Sequence, residues 1–180
     1  MLQGLILRAM PSPIQTVCGP IAPESLGFTS MHEHILCDLT VFRERFKKLL
    51  GRNDMPEVPL TLANRSRLRH GMILSPENLR LNDEAMMTGE VEDFAGAGGN
   101  AIVETGAPGI RCADDVRAFA RISEATGVHI VACTGLYAED SWPDHFRGLT
   151  SDQYADYLRG EIANGIGDSG IRPGQIKVAF

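Results

Sequence analysis

The sequence has few cysteines, no long apolar run and no block of like charge, and each absence excludes a class of protein. Its four cysteines, Cys18, Cys37, Cys112 and Cys133, lack C-x-x-C or zinc-finger spacing, so we interpret them as buried thiols of a reducing compartment. No segment approaches the roughly 20 apolar residues that a membrane-spanning helix requires. Because 17 Lys+Arg are mixed with 23 Asp+Glu, for a net charge of -6, neither nucleic acid nor a membrane is expected as a partner.

Residues 1–13 are interpreted as an N-terminal extension. Residues 2–10 are apolar, but the stretch is short, carries only Arg8 as a charge and lacks a small-residue cleavage site. A signal peptide is therefore not predicted, and we expect a soluble, cytoplasmic protein. Met10 is an alternative natural start, and we expect the extension to be loosely attached and dispensable for activity.

Strand-like and helix-like segments alternate after the extension. Apolar, β-rich runs at residues 28–36, 101–105, 129–134 and 175–180 predict buried strands, and periodic patterns at 83–95, 113–126 and 151–162 predict helices. In the last helix, Tyr154, Leu158 and Ile162 are spaced to share one face. This order indicates the α/β class, with βαβ units and a parallel sheet.

About forty-five residues, 39–83, separate the first strand from the first regular helix, far more than a usual βα loop. We treat this segment as an insertion, within which Phe42, Phe46, Leu49 and Leu50 predict a helix. Since it leaves the C-terminal end of a strand, we expect it at the mouth of a barrel, where active sites form. It is either a lid or pocket wall, or packing without a direct role.

The chain stops inside an apolar strand, with no helix after it. A (β/α)8 barrel takes roughly 250 residues and eight strands, and only four strands are predicted here. We therefore expect the chain to be the first half of a longer protein.

Two histidines lie two residues apart near the end of the first predicted strand. Side chains alternate along a strand, so His32 and His34 share one face and Glu33 takes the other. Two imidazoles placed this way can reach one metal ion. The spacing is too short for the H-E-x-x-H helical motif, and the alternative is two incidental histidines.

A lysine lies in the middle of the fourth predicted strand. Burying the charge of Lys177 is costly unless that charge is removed or paired. Carboxylation by carbon dioxide would convert the amine into an anionic carbamate, a ligand that bridges two cations. The alternative is a lysine whose ammonium reaches solvent along the strand edge.

Together with these residues, several motifs in order along the chain resemble the phosphotriesterase-like family of the amidohydrolase superfamily. They occupy residues 15–21, 26–29, 31–34, 98–105, 108–110, 126–137 and 171–179. The resemblance implies a metal-dependent hydrolase on a (β/α)8 TIM barrel, of which this chain supplies about the first four β/α units.

The resemblance also implies a site for two divalent metal ions. His32 and His34 would hold one ion, and a carboxylated Lys177 would bridge both. Two further histidines and an aspartate would come from later strands that this chain lacks, so no catalytic residue is assigned within it. Zinc suits these ligands best, with manganese, cobalt or iron as alternatives.

The resemblance implies lactones or carboxyl or phosphate esters as small-molecule substrates. Tyr137 lies where lactonase-like members of the family resemble this chain, which favours lactones or related esters among them. An ordinary half-buried loop aromatic is the alternative. Two further readings stay open: a non-catalytic relative that binds a ligand or partner, and a barrel hydrolase with a single metal. A homodimer of the full-length protein is a further possibility.

Other polar residues have weaker assignments. Glu104 and Thr105 end the second predicted strand and either support metal ligands from behind or cap the following loop. Arg111 is expected in a surface ion pair rather than at an anionic substrate. The remaining histidines, His70, His129 and His145, have no partner spacing and are interpreted as structural.

Overall fold

The computed structural model describes residues 12–111 and 114–178, and a parallel sheet with packed helices forms its centre. The strands are β1 (Ile14–Thr16), β2 (Gly19–Ile21), β3 (Thr29–Glu33), β4 (Cys37–Asp38), β5 (Arg80–Leu81), β6 (Ala101–Glu104), β7 (His129–Val131), β8 (Cys133–Leu136) and β9 (Gln175–Val178). The helices are α1 (Arg43–Leu49), α2 (Arg65–Arg69), α3 (Glu84–Gly96), α4 (Asp115–Thr126) and α5 (Ser151–Asn164).

The main sheet is parallel, as predicted. Strands β3, β6 and β7 pair in that order, and β8 pairs with β9. Only Ala132 separates β7 from β8, and the backbone N–H of Gly174 donates to its carbonyl at 2.9 Å. The predicted third strand is therefore one long strand broken at Ala132, and the spatial order is β3, β6, β7 with β8, then β9.

The three predicted helices are confirmed, with ends set by local caps. The Asp83 side chain accepts from the Met86 backbone N–H at the start of α3, and Thr150 forms a capping box with Gln153 at the start of α5. Gly127 ends α4 with φ 73°, a left-handed conformation that glycine adopts without steric cost. Because these signals lie within a few residues of each helix end, the sequence reveals them.

One face of the sheet packs against α3 and α4 to make the main core. This cluster includes Ile102 and Ile130 from the sheet with Val91, Phe119 and Ile122 from the helices. Phe119 and Ile122 are fully buried, so removing either side chain would leave a cavity at a typical cost of about 2–5 kcal/mol. This packing fixes β6 against β7 and so positions the loops at their C-terminal ends.

The outer strands are more exposed than predicted. In β3, Met31 is 69% exposed, and in β9, Ile176 and Val178 are 54% and 57% exposed. Within the described residues, β3 pairs only with β6 and β9 only with β8. Each strand thus has an open edge and an uncovered side, which is why the prediction of buried strands at 28–36 and 175–180 was wrong for these side chains.

Strands β4 and β5 form a neck that holds the two ends of the insertion at residues 39–83 together. Strands β4 and β5 pair antiparallel, the Arg80 guanidinium contacts the Asp38 carboxylate at 2.9 Å, and the Leu39 N–H donates to the Leu79 carbonyl. Between these ends lie α1, which confirms the predicted helix, and α2. Because the neck ties both ends together, the insertion is a folded unit beside the sheet.

The cysteines differ in exposure, and part of the predicted extension lies outside the described residues. Cys37 and Cys133 are buried, whereas Cys18 is exposed at the β1–β2 turn, so the prediction of a buried thiol was wrong there. Cys112, the first eleven residues of the extension and residues 179–180 lie outside the described residues. Among the described helices, none has the length and apolar content needed to cross a membrane.

Candidate metal centre

The two predicted histidine ligands lie side by side at the C-terminal end of β3. The ring centroids of His32 and His34 are 5.7 Å apart in an edge-to-face arrangement. Glu33, between them, accepts a hydrogen bond from the Ser30 hydroxyl instead, at a point where the register between β3 and β6 shifts. The predicted pairing of two imidazoles is present, and their role as metal ligands stays a prediction.

A buried carboxylate lies directly behind His34. The Oε1 atom of Glu104 is 3.6 Å from the His34 Nδ1 atom and accepts a hydrogen bond from the Gly106 backbone N–H at 3.0 Å. The Glu104 side chain is fully buried, because β6 lies between β3 and β7. Glu104 therefore both caps its own loop and contacts a candidate ligand, so the two sequence interpretations are not exclusive.

Lys177 and Tyr137 meet on the other side of the site. The Lys177 Nζ atom lies 5.4 Å from the centroid of the Tyr137 ring, a distance at which the ring face attracts a cation. Lys177 is half-buried, so it does not lie in a fully buried strand as the sequence predicted. A carboxylated lysine would be anionic, and hence this ring contact belongs to the uncarboxylated side chain.

A cavity of about 300 Å³ lies between His34 and the insertion. Its wall includes His34 and Tyr137 from the sheet side and Phe42, Phe46 and Leu49 from the insertion. The Phe42 ring meets the Tyr137 ring edge-on at 5.7 Å. The insertion thus forms an apolar wall beside His34.

Charged side chains from both sides of the site affect the pKa of the Cys133 thiol. Burial raises its pKa to about 12, the Glu104 carboxylate adds to this rise, and the Arg111 and Lys177 cations oppose it. Glu104 and Lys177 therefore both act on one buried atom of β8. The Cys37 thiol is similar, since burial raises its pKa to about 11.

The donor atoms present fit part of a divalent-metal site. Two adjacent imidazoles are suitable ligands for zinc and related ions, and the buried Nδ1 atom of His34 has no hydrogen-bond partner among the described residues. In residues 12–111 and 114–178, no group of three or more His, Cys, Asp or Glu side chains is placed to hold a metal. A complete site would therefore need Lys177 and ligands beyond this set.

Sequence reasoning missed two buried polar features. Arg111 is only 9% exposed and donates to the Cys133 carbonyl at 3.0 Å, so the expected surface ion pair was wrong. Glu161 is buried in α5 and accepts hydrogen bonds from the Thr134 and Tyr157 hydroxyls, both at 2.5 Å. The only sequence signal for the second feature is the i, i+4 spacing of Tyr157 and Glu161 on one helix face.

A model of the phosphotriesterase family matches residues 12–180. The chain belongs to the phosphotriesterase family. Its four parallel strands with intervening helices are therefore part of the family's (β/α)8 barrel, and the candidate ligands lie at the C-terminal ends of barrel strands.

Relatives agree with this assignment and extend beyond the chain. An N-acetyltaurine hydrolase from Salmo salar is 30% identical over 171 residues, which cover 94% of this chain and 48% of that protein. A resiniferatoxin-binding protein from Rhodobacter sphaeroides is 32% identical with a TM-score of 0.79, covering 91% of this chain and 45% of its own. A lactonase from Listeria monocytogenes is 26% identical with a TM-score of 0.66, covering 92% and 46%. The phosphotriesterase-family chain thus spans about half the length of these relatives.

Proposed function

We propose that this phosphotriesterase-family chain supplies part of the active site of a metal-dependent hydrolase that acts on lactones or on carboxyl or phosphate esters. The observation that carries the proposal is the pair of adjacent imidazoles, His32 and His34, at a strand end that opens into an apolar cavity. Active sites of (β/α)8 barrels lie at this end of the strands.

His32 and His34 would hold one divalent ion, and Lys177, once carboxylated, would contact it together with a second. Bound divalent ions supply a hydroxide near neutral pH and polarise the carbonyl or phosphoryl group under attack. Zinc is the preferred ion, with manganese, cobalt or iron as alternatives.

The chain's own side chains would orient the substrate and exclude water. The rings of Tyr137, Phe42 and Phe46 offer apolar surface to the part of the substrate that does not react. Arg45 also lines this cavity and lies 3.6 Å from Asp140, so it is a cation at the rim. A substrate with an apolar body, held close to His34, fits this arrangement.

An N-acyl amide is a second candidate substrate, because relatives with 30% identity carry the name N-acetyltaurine hydrolase. Esters, lactones and amides share an attacked carbonyl, so the same residues would serve all three. The lactonase relative supports the first choice. A ligand-binding relative without turnover is the non-enzymatic alternative, to which the resiniferatoxin-binding neighbour corresponds by name.

The test uses the full-length protein that contains this chain, loaded with zinc, manganese or cobalt. Rates are measured on a lactone, an aryl ester, a phosphotriester and an N-acyl amide. His34→Ala and Lys177→Ala should each lower kcat/KM by roughly 100-fold or more, with metal content falling in parallel. His70→Ala, at an exposed histidine of the insertion, is the control. Turnover that survives both metal removal and His34→Ala would contradict the proposal.

A further inference from the structure

The carboxylate behind His34 has less hydrogen bonding than a buried charge requires. Glu104 is fully buried, and within the part of the chain that the structure describes its Oε2 atom has no hydrogen-bond partner. Its Oε1 atom accepts from the Gly106 N–H, and among the described residues His34 is the basic side chain found beside this carboxylate. Because an unsatisfied buried carboxylate is costly, a second donor is needed.

His34 is the side chain placed to provide that donor. Its Nδ1 atom is buried and also lacks a partner, and it lies 3.6 Å from Glu104 Oε1, just beyond hydrogen-bond length. The two groups are complementary, because the Glu104 carboxylate lacks a donor and the His34 Nδ1 atom can carry a proton. A shift of a few tenths of an ångström would bring Nδ1 within hydrogen-bond distance of Oε1 and so add a second donor to the carboxylate.

The surroundings of Glu104 leave little room for another arrangement. A Cβ atom placed on Gly106 would lie 2.8 Å from Oε1 and 3.2 Å from Oε2 of the carboxylate. The absence of a side chain at this position lets the loop backbone close over Glu104. Arg111, whose Cβ atom is also near Gly106, directs its guanidinium to the Cys133 carbonyl. The carboxylate is thus held against His34.

We propose that Glu104 is a positioning residue that accepts a hydrogen bond from Nδ1–H of His34. This bond keeps the Nε2 lone pair of the neutral imidazole free to bind a metal ion. The His34 side chain is 25% exposed although its Nδ1 atom is buried, so the part of the ring away from Glu104 faces the cavity. Carboxylates commonly fix metal-binding histidines in this way. Metal binding by the Nε2 atom rests on the proposed function, whereas the position of the proton on Nδ1 does not.

The tautomer of His34 is measured on the metal-free full-length protein that contains this chain. Histidine is labelled with ¹⁵N, and long-range ¹H–¹⁵N correlations are recorded at about pH 8.5, where an ordinary imidazole is neutral. His34 should carry its proton on Nδ1. The exposed His32, for which no carboxylate partner is found in residues 12–111 and 114–178, should show the Nε2–H form that free histidine side chains prefer.

Two matched variants separate positioning from general stability. Glu104→Leu removes the acceptor at similar volume and should shift His34 to the Nε2–H form. Glu161→Leu also removes a buried carboxylate, but one bonded to Thr134 and Tyr157, and should leave the His34 tautomer unchanged. An Nε2–H proton on His34 in the unmodified protein would overturn the proposal, even if Glu104→Leu fails to fold.

A second readout connects the tautomer to metal binding in the full-length protein. Glu104→Leu, which removes the acceptor, should weaken zinc affinity by about 10- to 100-fold, as measured by competition with a chelator. Zinc affinity within threefold of the unmodified protein would overturn the positioning role. If the protein binds no metal at all, the proposed function fails while the measured tautomer still decides on Glu104.

Discussion

Two buried thiols, Cys133 in β8 and Cys37 in β4, report how well their surroundings exclude water. Burial raises the pKa of Cys133 to about 12 and that of Cys37 to about 11, so both are neutral thiols at pH 8. Cys18 is exposed at the β1–β2 turn. In the native chain at pH 8, Cys18 should react with iodoacetamide much faster than Cys37 and Cys133, as followed by peptide mass spectrometry. Modification of Cys133 as fast as Cys18 would show that this region is open.

The same pKa values predict a loss of stability in alkali. The folded state raises both pKa values above the ordinary value of 9.0, so it disfavours the thiolate that the unfolded chain forms freely. Their contribution is fully present below about pH 9 and is lost as pH rises toward about 11–12. Urea unfolding from pH 8 to 11 should show a smaller decline for Cys133→Ala than for the unmodified chain.

The contact between Lys177 and Tyr137 is testable without any activity. The ammonium lies over the ring face at 5.4 Å, which should be worth about 0.5–1 kcal/mol at a half-exposed site. In bicarbonate-free buffer, a double-mutant cycle of Lys177→Met and Tyr137→Leu should yield a coupling energy of this size. Tyr137→Phe keeps the ring and serves as the control. A coupling of zero would mean that the lysine does not rest on the ring in solution.

At the scale of residues, sequence reasoning found side chains with local spacing but not those placed by tertiary structure. His32 and His34 were identifiable because alternation along one strand brings them together. The burial of Glu104 depends on β3, which is about seventy residues earlier in the chain. Arg111 is likewise buried by its contact with β8. No pattern within either segment indicates these partners.

At the scale of elements, caps and periodicity predicted helices better than strands. Asp83, Thr150 and Gly127 mark helix ends through local hydrogen bonds or backbone conformation. The β1–β2 hairpin was not predicted, and Ala132 breaks the third strand, because strand pairing depends on partners distant in sequence. In α5, Tyr154 and Leu158 are partly buried, Glu161 is buried and Ile162 is 43% exposed, so Ile162 lies at the edge of the buried face.

The insertion offers an element-scale prediction. Its neck of β4 and β5 holds both ends, while Phe42 and Phe46 line the cavity beside His34. Replacing residues 43–76 by a short glycine-serine linker in the full-length protein should change the ratio of rates on small and bulky substrates by about tenfold. Metal content should change little, because the candidate ligands lie outside the insertion.

A point variant refines the insertion experiment. Phe46→Ala enlarges the cavity while keeping the neck, and should shift selectivity toward bulkier substrates. Arg67→Ala, at an exposed position of α2 that does not line this cavity, is the control. Equal losses of metal and of every activity after shortening would indicate that the insertion supports the fold rather than the substrate.

At the scale of the whole molecule, the described residues form an open sheet rather than a closed barrel. Strands β3 and β9 each have one partner among them, and Phe28, Met31, Ile176 and Val178 are at least half exposed. Unpaired strand edges with apolar side chains promote association. The family relatives are about twice as long as the chain. This length agrees with four barrel strands in the chain, compared with the eight strands of a complete (β/α)8 barrel.

The final prediction is that the purified 180-residue chain is not a competent hydrolase alone. Its open edges should make it self-associate in size-exclusion chromatography, with the association decreasing on dilution. His32, His34 and Lys177 offer too few ligands for two ions, and the described residues add no cluster of three or more His, Cys, Asp or Glu. The Lys177 carbamate would also lack the metals that keep it from reverting to the amine.

Under saturating zinc or manganese with bicarbonate, the isolated chain should therefore bind less than one tightly held metal per monomer. Hydrolysis of lactones and phosphotriesters should not exceed the buffer rate, because neither a bridging hydroxide nor the remaining ligands can be assembled. Adding a separately expressed C-terminal half of a family barrel should reduce self-association if the open edges are its cause. Two bound ions per isolated chain, with turnover that disappears on Lys177→Ala, would show instead that self-association of these half-barrels completes the site.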